Sequence, residues 1–556
     1  MTNAFLNIGR KLLLYAGAES LRNLMYAILP HMFVSIDCGE TEIKTDSNFI
    51  VWTPDDTLIS NGVARVVSSS SSISPIMDTL RVFTSRKKNC YSAQVTQGEK
   101  VLVRASFNYG NYDRLSNPPS FDLHFDGNFW TTVHTTLSGL IVHEATYVAK
   151  RDTVSVCVAQ TMPNQFPFMS ALEIRSVDSN AYSDVDQSRA LFLVSRFAYG
   201  TSQILRYPND AYDRIWIPAS GGTKSVATEA IFIDPTGPNN PPMGILQNAA
   251  TVGSTSDALL LGTVSPTDTL VYIIMYFSEV SNLDSTQTRS FRIYESSSAV
   301  QLPISPPYGS VVVRSISNYT VDSVTNISLV ATVDSNLPPL INAIEAFNIS
   351  GVLTDGTDNS DVAALAMLQT SFEVLGGWSG DPCLPAPYSW DWLNCSKDAT
   401  PRITALYLDG FELSGSFPDF SSMDALEIID LHNNTLTGSI PDYLGTMPNL
   451  QQLNLADNQF SGSIPTTLSK NKNLKLTTSG NPSLCASGKS CSSSPGIINS
   501  SPGSVPITSS KKSSKLPVVL GTTIPAFFLV WAVAGVFLIL RRRRKPAHTN
   551  MPIVTG

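Results

Sequence analysis

The sequence predicts a mainly β chain of several domains: two tandem β-sandwich lobes, a short repeat solenoid and one membrane-spanning helix. Three observations carry this. Residues 36–350 break into short alternating or wholly apolar runs between Pro/Gly-rich turns, residues 402–472 repeat themselves, and Leu516 to Leu540 is an uncharged apolar run. A chain of 556 residues exceeds one core, and 42% hydrophobic with 15% charged residues is a globular composition.

The first of these regions reads as strands. VLVRASFNY (101–109) puts Val101, Val103, Ala105, Phe107 and Tyr109 on one face, while TLVYIIMYFSEV (269–280) is apolar on both faces, as inside a sandwich. NPP, DPTGPNNPP and SPPYG punctuate such runs. The length suffices for two sandwiches, expected at 36–200 and 201–350. A connecting segment and cap, 351–401, follows. In it Asn359, Ser360 and Asp361 offer N-cap oxygens to a helix with Val362, Leu365, Leu368 and Phe372 on one face.

The repeat has a fixed period. ALEIIDLHNNTLTGSIPDYLGTMP (425–448) and NLQQLNLADNQFSGSIPTTLSKNK (449–472) align at 24 residues, and RITALYLDGFELSGSFPDFSSMD (402–424) is a third copy one residue short. This is a leucine-rich repeat, expected over 402–491 with its C-terminal cap. Asn434 and Asn458 occupy the slot whose amide bonds neighbouring backbone; Phe411 stands there in the first copy, which predicts a less regular first coil. Short arrays need capped ends. The close pairs Cys383–Cys395 and Cys485–Cys491 sit where those caps belong and suit local disulfides. Cys38, Cys90 and Cys157 remain, an odd number, so one of them is expected as a free buried thiol.

The apolar run 516–540 is 25 residues, about 37 Å as a helix, enough to span a bilayer. RRRRK follows it and only three lysines precede it, so the positive-inside rule puts 541–556 in the cytosol. The expected topology is single-pass type I at the plasma membrane, with a Ser/Pro-rich stalk over 492–515. Residues 1–35 form a poor signal sequence, interrupted by Glu19 and Arg22. Either an atypical signal ends near Ser35 or the natural start lies elsewhere. Acceptor sequons for glycosylation stand at Asn318, Asn326, Asn348, Asn394, Asn433 and Asn499. The net charge is −8, and residues 511–556 carry eight basic residues and no acidic one, so the remainder holds −16. That body is unsuited to nucleic acid, which needs cations to displace phosphate counterions.

No catalytic constellation is expected. Six histidines form no metal-binding pair at helical spacing, His143-Glu144 lacks the second histidine of a zinc-protease motif, and no nucleophile elbow, phosphate loop or kinase signature occurs. No metal or cofactor is implied. A carboxylate pair of glycosidase type is the remote alternative. One stretch has two readings: FNYGNYDRLSNPPSFDLHFDGNFW (107–130) holds seven aromatic residues among Asn, Asp, Ser and Gly. Rings beside amides and carboxylates can make a sugar platform, or can pack a sandwich and its turns.

Several motifs together resemble the plant malectin-like, leucine-rich-repeat receptor-like proteins and kinases. They are SIDCG (35–39), LRVFTSRKKNCY (80–91), FNYGNYD (107–113) and FDGNFWTTV (125–133) in the first lobe. RYPNDAYDRIWIP (206–218), YFSEV (276–280), RSFRIY (289–294) and LPPLINAIEAF (337–347) follow in the second, and WSGDPCLPAPYSWDWLNC (378–395) resembles the family's cap. The resemblance implies two malectin-like sandwiches, a few repeats and a plasma-membrane anchor. It implies binding of a cell-wall glycan or a secreted peptide, with signalling through a partner receptor kinase because the segment after the apolar run is too short for a kinase. A passive tether between wall and membrane is the alternative. Tyr109, Asn111, Tyr112, Asp113 and Trp130 are the candidate ligand contacts, though FNYGNYD is expected chiefly to pack and Trp130 to behave as core.

Overall fold

Strands Lys100–Phe107 and Leu270–Phe277 are buried on both sides, for two different reasons. In Leu270–Phe277 both faces are apolar: Tyr272, Ile274 and Tyr276 enter one core, Ile273, Met275 and Phe277 another. In Lys100–Phe107 the face of Val101, Val103, Ala105 and Phe107 enters the first-lobe core, while Leu102 and Arg104 on the other face are covered by the second lobe. The computed structural model describes residues 32–487 apart from 220–222, 229, 265–269 and 321–323. The segment 1–31, Cys491, Asn499, the stalk, the apolar run 516–540 and the tail 541–556 lie outside the described residues. No helix among the described residues is long and apolar enough to cross a membrane.

One eleven-stranded sheet runs through both lobes. Its order is Lys44–Thr45, Val51–Pro54, Phe33–Asp37, Ala171–Ser176, Lys100–Phe107, Ile141–Val148, Arg189–Ala198, Ala343–Val352, Leu270–Phe277 and Val312–Thr320, with Ile217–Pro218 attached to Arg189–Ala198. A four-stranded sheet of Lys88–Gln94, Thr153–Ala159, Ser120–Phe125 and Asn128–His134 closes the first sandwich. A second, containing Leu259–Val264, Thr325–Ala331 and Phe291–Glu295, closes the other. Arg189–Ala198 joins the lobes: it pairs antiparallel with Ile141–Val148 through Ala145 and Thr146 and with Ala343–Val352 along its whole length. The division expected at residue 200 thus follows a strand whose main partner belongs to the second lobe. At the N-terminus the sheet begins at Phe33, paired with Arg175, so the segment expected to end near Ser35 already contributes Phe33 and Val34 to the lobe.

The helix after the lobes is Asn359–Ser371, and its N-cap is Asp358, whose carboxylate accepts the Ser360 N–H at 2.9 Å. The cap lies one residue before the expected trio because Asp361 has other partners: it accepts Arg402 Nε and Nη2 at 3.0 Å and the Ile403 N–H at 2.8 Å, tying the helix to the first coil. Leu365, Leu368 and Phe372 are buried as expected.

In the repeats, Ile403–Tyr407, Ile428–Asp430, Gln452–Asn454 and Lys475–Thr477 stack in parallel, with Leu406, Ile429, Leu453 and Leu476 in register. The asparagine ladder has the expected rungs: Asn434 and Asn458 each accept an N–H from the preceding coil and donate to buried carbonyls. A rung unforeseen in the sequence is Asn481, which accepts the Phe460 N–H at 3.0 Å and donates to Leu455 O at 2.9 Å. Phe411, in the first slot, packs half-buried against the coil core instead. Cys383–Cys395 is a disulfide, Cys485 is disulfide-bonded, Cys90 pairs with Cys157, and Cys38 is the free buried thiol. Burial raises the Cys38 pKa well above the usual range, which keeps it unreactive.

Candidate functional site

The predicted ligand stretch folds into a self-contained turn on the first lobe. Tyr109 is fully buried; its hydroxyl donates to Asp113 Oδ1 at 2.5 Å and accepts the Asn117 N–H at 3.2 Å. Asn111 Oδ1 accepts the Ser116 N–H at 2.9 Å, and Asp113 Oδ1 also accepts the Leu115 N–H at 3.0 Å. Gly110 is left-handed at φ +49°, and a side chain there would strike Val67. Tyr112 is half-buried, edge-on to Tyr109 and Phe168. Trp130 is 5% exposed, stacked on Phe192 and edge-on to Phe125. Most of the polar and aromatic groups named as ligand candidates thus already have intramolecular partners, and of the seven aromatics only Phe129 is largely exposed.

The second feature went unforeseen. Where the lobes meet, five arginines and five carboxylates form a seam of balanced charge. Arg104 chelates Glu144 at 2.8 and 3.0 Å and meets Glu173 at 3.1 Å. Arg196 bridges Glu144 at 2.8 Å and Glu345 at 2.7 Å. Asp213 takes Arg175 at 2.9 Å and Arg206 at 2.7 Å, while Arg214 takes Asp210 at 2.8 Å. All but Arg206 are essentially buried. Burial alone would raise the Asp213 pKa, but Arg206, Arg104 and Arg175 hold it well below the usual carboxylate range. RYPNDAYDRIWIP supplies Arg206, Asp210, Asp213 and Arg214, so that motif is the lobe junction. Two signals could have found it: two arginines and two aspartates between 206 and 214 beside a tryptophan, and Arg104 and Glu144 inside apolar strands.

The third feature joins the first lobe to the repeats. WSGDPC (378–383) seats on the outer face of the four-stranded sheet, directly over Cys90–Cys157. Gly380, left-handed at φ +75°, lies so close to both sulfurs that any Cβ would collide with them. Ser379 Oγ donates to Cys90 O at 2.7 Å, and Lys88 Nζ donates to Asp381 O and Leu384 O, both at 2.7 Å. Burial, opposed by Asp381 and Asp391, lowers the Lys88 pKa to about 8. The Arg86 guanidinium lies 4.0 Å above the Trp378 ring and donates to Gly377 O. Asp381 accepts the Thr357, Cys383 and Leu384 N–H groups at 2.8–3.0 Å. Lys150 and Arg151 pin the linker through Leu353 O, Asp355 and Thr357 O.

Between that sheet, the linker and the Asn359–Ser371 helix runs a cleft of about 300 Å³, opening by Lys150, Arg151 and Asp355 into a vestibule of about 400 Å³. Asp126, on its wall, accepts Ser155 N–H at 2.6 Å and Tyr147 O–H at 2.8 Å, and burial raises its pKa to about 6. A cleft this size at a domain junction is where small ligands bind in other folds. On the repeats, Asp409, Asp430 and His432 lie close enough to share a cation, with His432 Nδ1 2.7 Å from Asp430; the group is exposed or half-exposed.

Two sandwiches fused on one sheet, with a parallel coil ladder docked behind, define a tandem-lobe β-sandwich protein carrying leucine-rich repeats. The malectin-like domain model matches residues 36–349 and the leucine-rich-repeat model residues 401–460, and the chain belongs to the malectin-like family. A probable LRR receptor-like serine/threonine-protein kinase of Arabidopsis thaliana is 29% identical over 94% of this chain and 59% of its own length. A second is 32% identical over 94% of this chain and 58% of its own length. The chain therefore spans roughly three fifths of these kinases. An uncharacterized Arabidopsis thaliana protein is 35% identical over 57% of this chain and 64% of its length. Among solved structures, the ANX2 ectodomain of Arabidopsis thaliana superposes with TM-score 0.51 at 16% identity over 58% of this chain and 97% of its own, a likeness of fold.

Proposed function

We propose that this chain is a cell-surface receptor-like protein that recognises a cell-wall carbohydrate or secreted peptide through its lobes and signals through a partner receptor kinase. The observation that carries this reading is the docking of the cap on the Cys90–Cys157 sheet, which makes the lobes and repeats one recognition body with a cleft at the joint. Kinship to receptor-like kinases supports the signalling context. The run 516–540 with its RRRRK flank supports a single-pass, ectodomain-out placement, with 402–491 as a capped solenoid and 492–515 as stalk. Of the sequons, Asn326, Asn394 and Asn433 are exposed, Asn348 is half-buried in Ala343–Val352, and Asn318 lies in Val312–Thr320. We propose them as glycosylated, with Tyr112 and Asp113 as the accessible edge of the aromatic turn and Tyr109 shaping it from within, while Trp130 packs on Phe125 and Phe192 in the lobe core.

Proximity labelling of the intact protein in plant membranes tests the reading. Receptor kinases among the labelled neighbours support it; wall material alone favours a passive tether. Endoglycosidase treatment of the same protein should lower its apparent mass, and an unchanged mass would count against the topology.

A further inference from the structure

We propose that the cleft between the first lobe and the cap binds the end of an uncharged oligosaccharide. This rests on reading the chain as a recognition protein and assigns that recognition to a joint rather than to the aromatic turn. The two sides of the cleft differ in chemistry. Its floor is the outer face of the four-stranded sheet: Ser92, Thr153 and Ser155 share the face of Cys90 and Cys157, as the register Ser155↔Ser92 and Cys157↔Cys90 requires. Its roof is the Asn359–Ser371 helix with Val362, Leu365 and Gln369, together with the indoles of Trp378 and Trp390.

The Ser92 and Thr153 hydroxyls and the Gln369 side-chain carbonyl line this space and, among the described residues, hydrogen-bond to no protein group, although Gln369 Nε2 is held by Leu375 O and Trp378 O. Small hydroxyls and one oriented amide opposite aromatic rings match a sugar ring, whose hydroxyl edge is polar and whose C–H face is apolar. Charge at the mouth favours a neutral ligand. Lys150 and Arg151 face Asp152 and Asp355, and Lys150 is already paired with Asp355 at 2.6 Å, so neither an acidic nor a basic ligand finds an excess of opposite charge. The cleft and vestibule, about 300 and 400 Å³, are in the range of small-ligand sites.

The test uses the full chain in detergent, titrated calorimetrically with short neutral cello-, manno- and xylo-oligosaccharides and with anionic oligogalacturonides. Gln369→Leu and Thr153→Val remove one polar group each at nearly constant volume, and their melting temperatures report folding independently. The expected result is binding of a neutral series, weakened about tenfold by each variant, the effect of one lost hydrogen bond. No neutral binding, preference for the anionic series, or binding indifferent to both variants would overturn the assignment. Variant-sensitive binding in a protein that labels no kinase neighbours upholds the cleft and sinks the receptor reading alone.

Discussion

Trp130 and Tyr112 come from the same aromatic stretch and sit at different depths. Trp130, stacked on Phe192 beneath the sheet, should lose about 3–5 kcal/mol on truncation to alanine, as buried aromatics do. Tyr112, open on one side, should lose less. Melting temperatures of Trp130→Ala and Tyr112→Ala decide the order, and a Trp130→Ala protein as stable as wild type would contradict the core placement. Asp126 makes a prediction about pH. Its pKa is raised by burial to about 6, above its value in the unfolded chain, so its contribution to stability is full below about 4 and is lost as pH rises through 6. Asp126→Asn keeps the shape and removes the titration. Between pH 4 and 7 the variant's melting temperature should change less than that of wild type, by the equivalent of about 2 kcal/mol. Parallel profiles would place the titration elsewhere, with Asp37, also raised to about 6 by burial, as the next group to replace.

At the scale of elements, periodicity made the strands and coils legible. The 24-residue spacing places Ile429 against Leu453 as a parallel ladder does, and the alternation in 101–109 names the residues that enter the first core. What stayed hidden depends on partners distant in sequence. Asp358, Asn359, Ser360 and Asp361 all suit an N-cap; only the demand of Arg402 for Asp361, and the Ser360 N–H left for Asp358, decides among them. Asn481 lies 23 residues after Asn458, within the coil spacing, but beyond the aligned copies that end at residue 472, so its rung shows only in the fold. The Cys383–Cys395 loop closes 12 residues and should contribute about 2–3 kcal/mol by the chain-entropy account. Replacing both by serine should lower the repeats' melting temperature and expose their apolar end to a hydrophobic dye. Unchanged melting and dye binding would remove the disulfide from the cap's role.

At the scale of the whole molecule, the seam fixes the lobes. Asp213→Asn leaves Arg175 and Arg206 short of a buried carboxylate and should cost about 3–5 kcal/mol. Its wild-type pKa is held below the unfolded value, so this stabilisation is complete above about pH 4 and fades as pH falls further, the reverse of Asp126. Acid titration of wild type and variant should therefore converge at low pH; curves that stay apart would show the loss to be steric. The seam's two sequence signals mark charged residues in unusual places but do not say which of them meet, because a buried arginine and a surface arginine are the same letter. Only the strand register brings Arg104 opposite Glu144 and Glu173.

The docking of WSGDPC on the Cys90–Cys157 sheet also has a mechanical meaning. The linker from Leu353 to Thr357 is held by Lys150 and Arg151, and Thr357 is held in turn by Asp381, so it has no slack. A pull between the repeats and the first lobe cannot first straighten a loose tether. It loads the Lys88, Ser379 and Arg151 contacts together, side by side, over a seat that a covalent bond between neighbouring strands keeps from spreading. Under tension this joint behaves as a stiff bracket that resists until several contacts fail at once. The cleft beside it would widen at the moment of failure, so a ligand held there would be released by force.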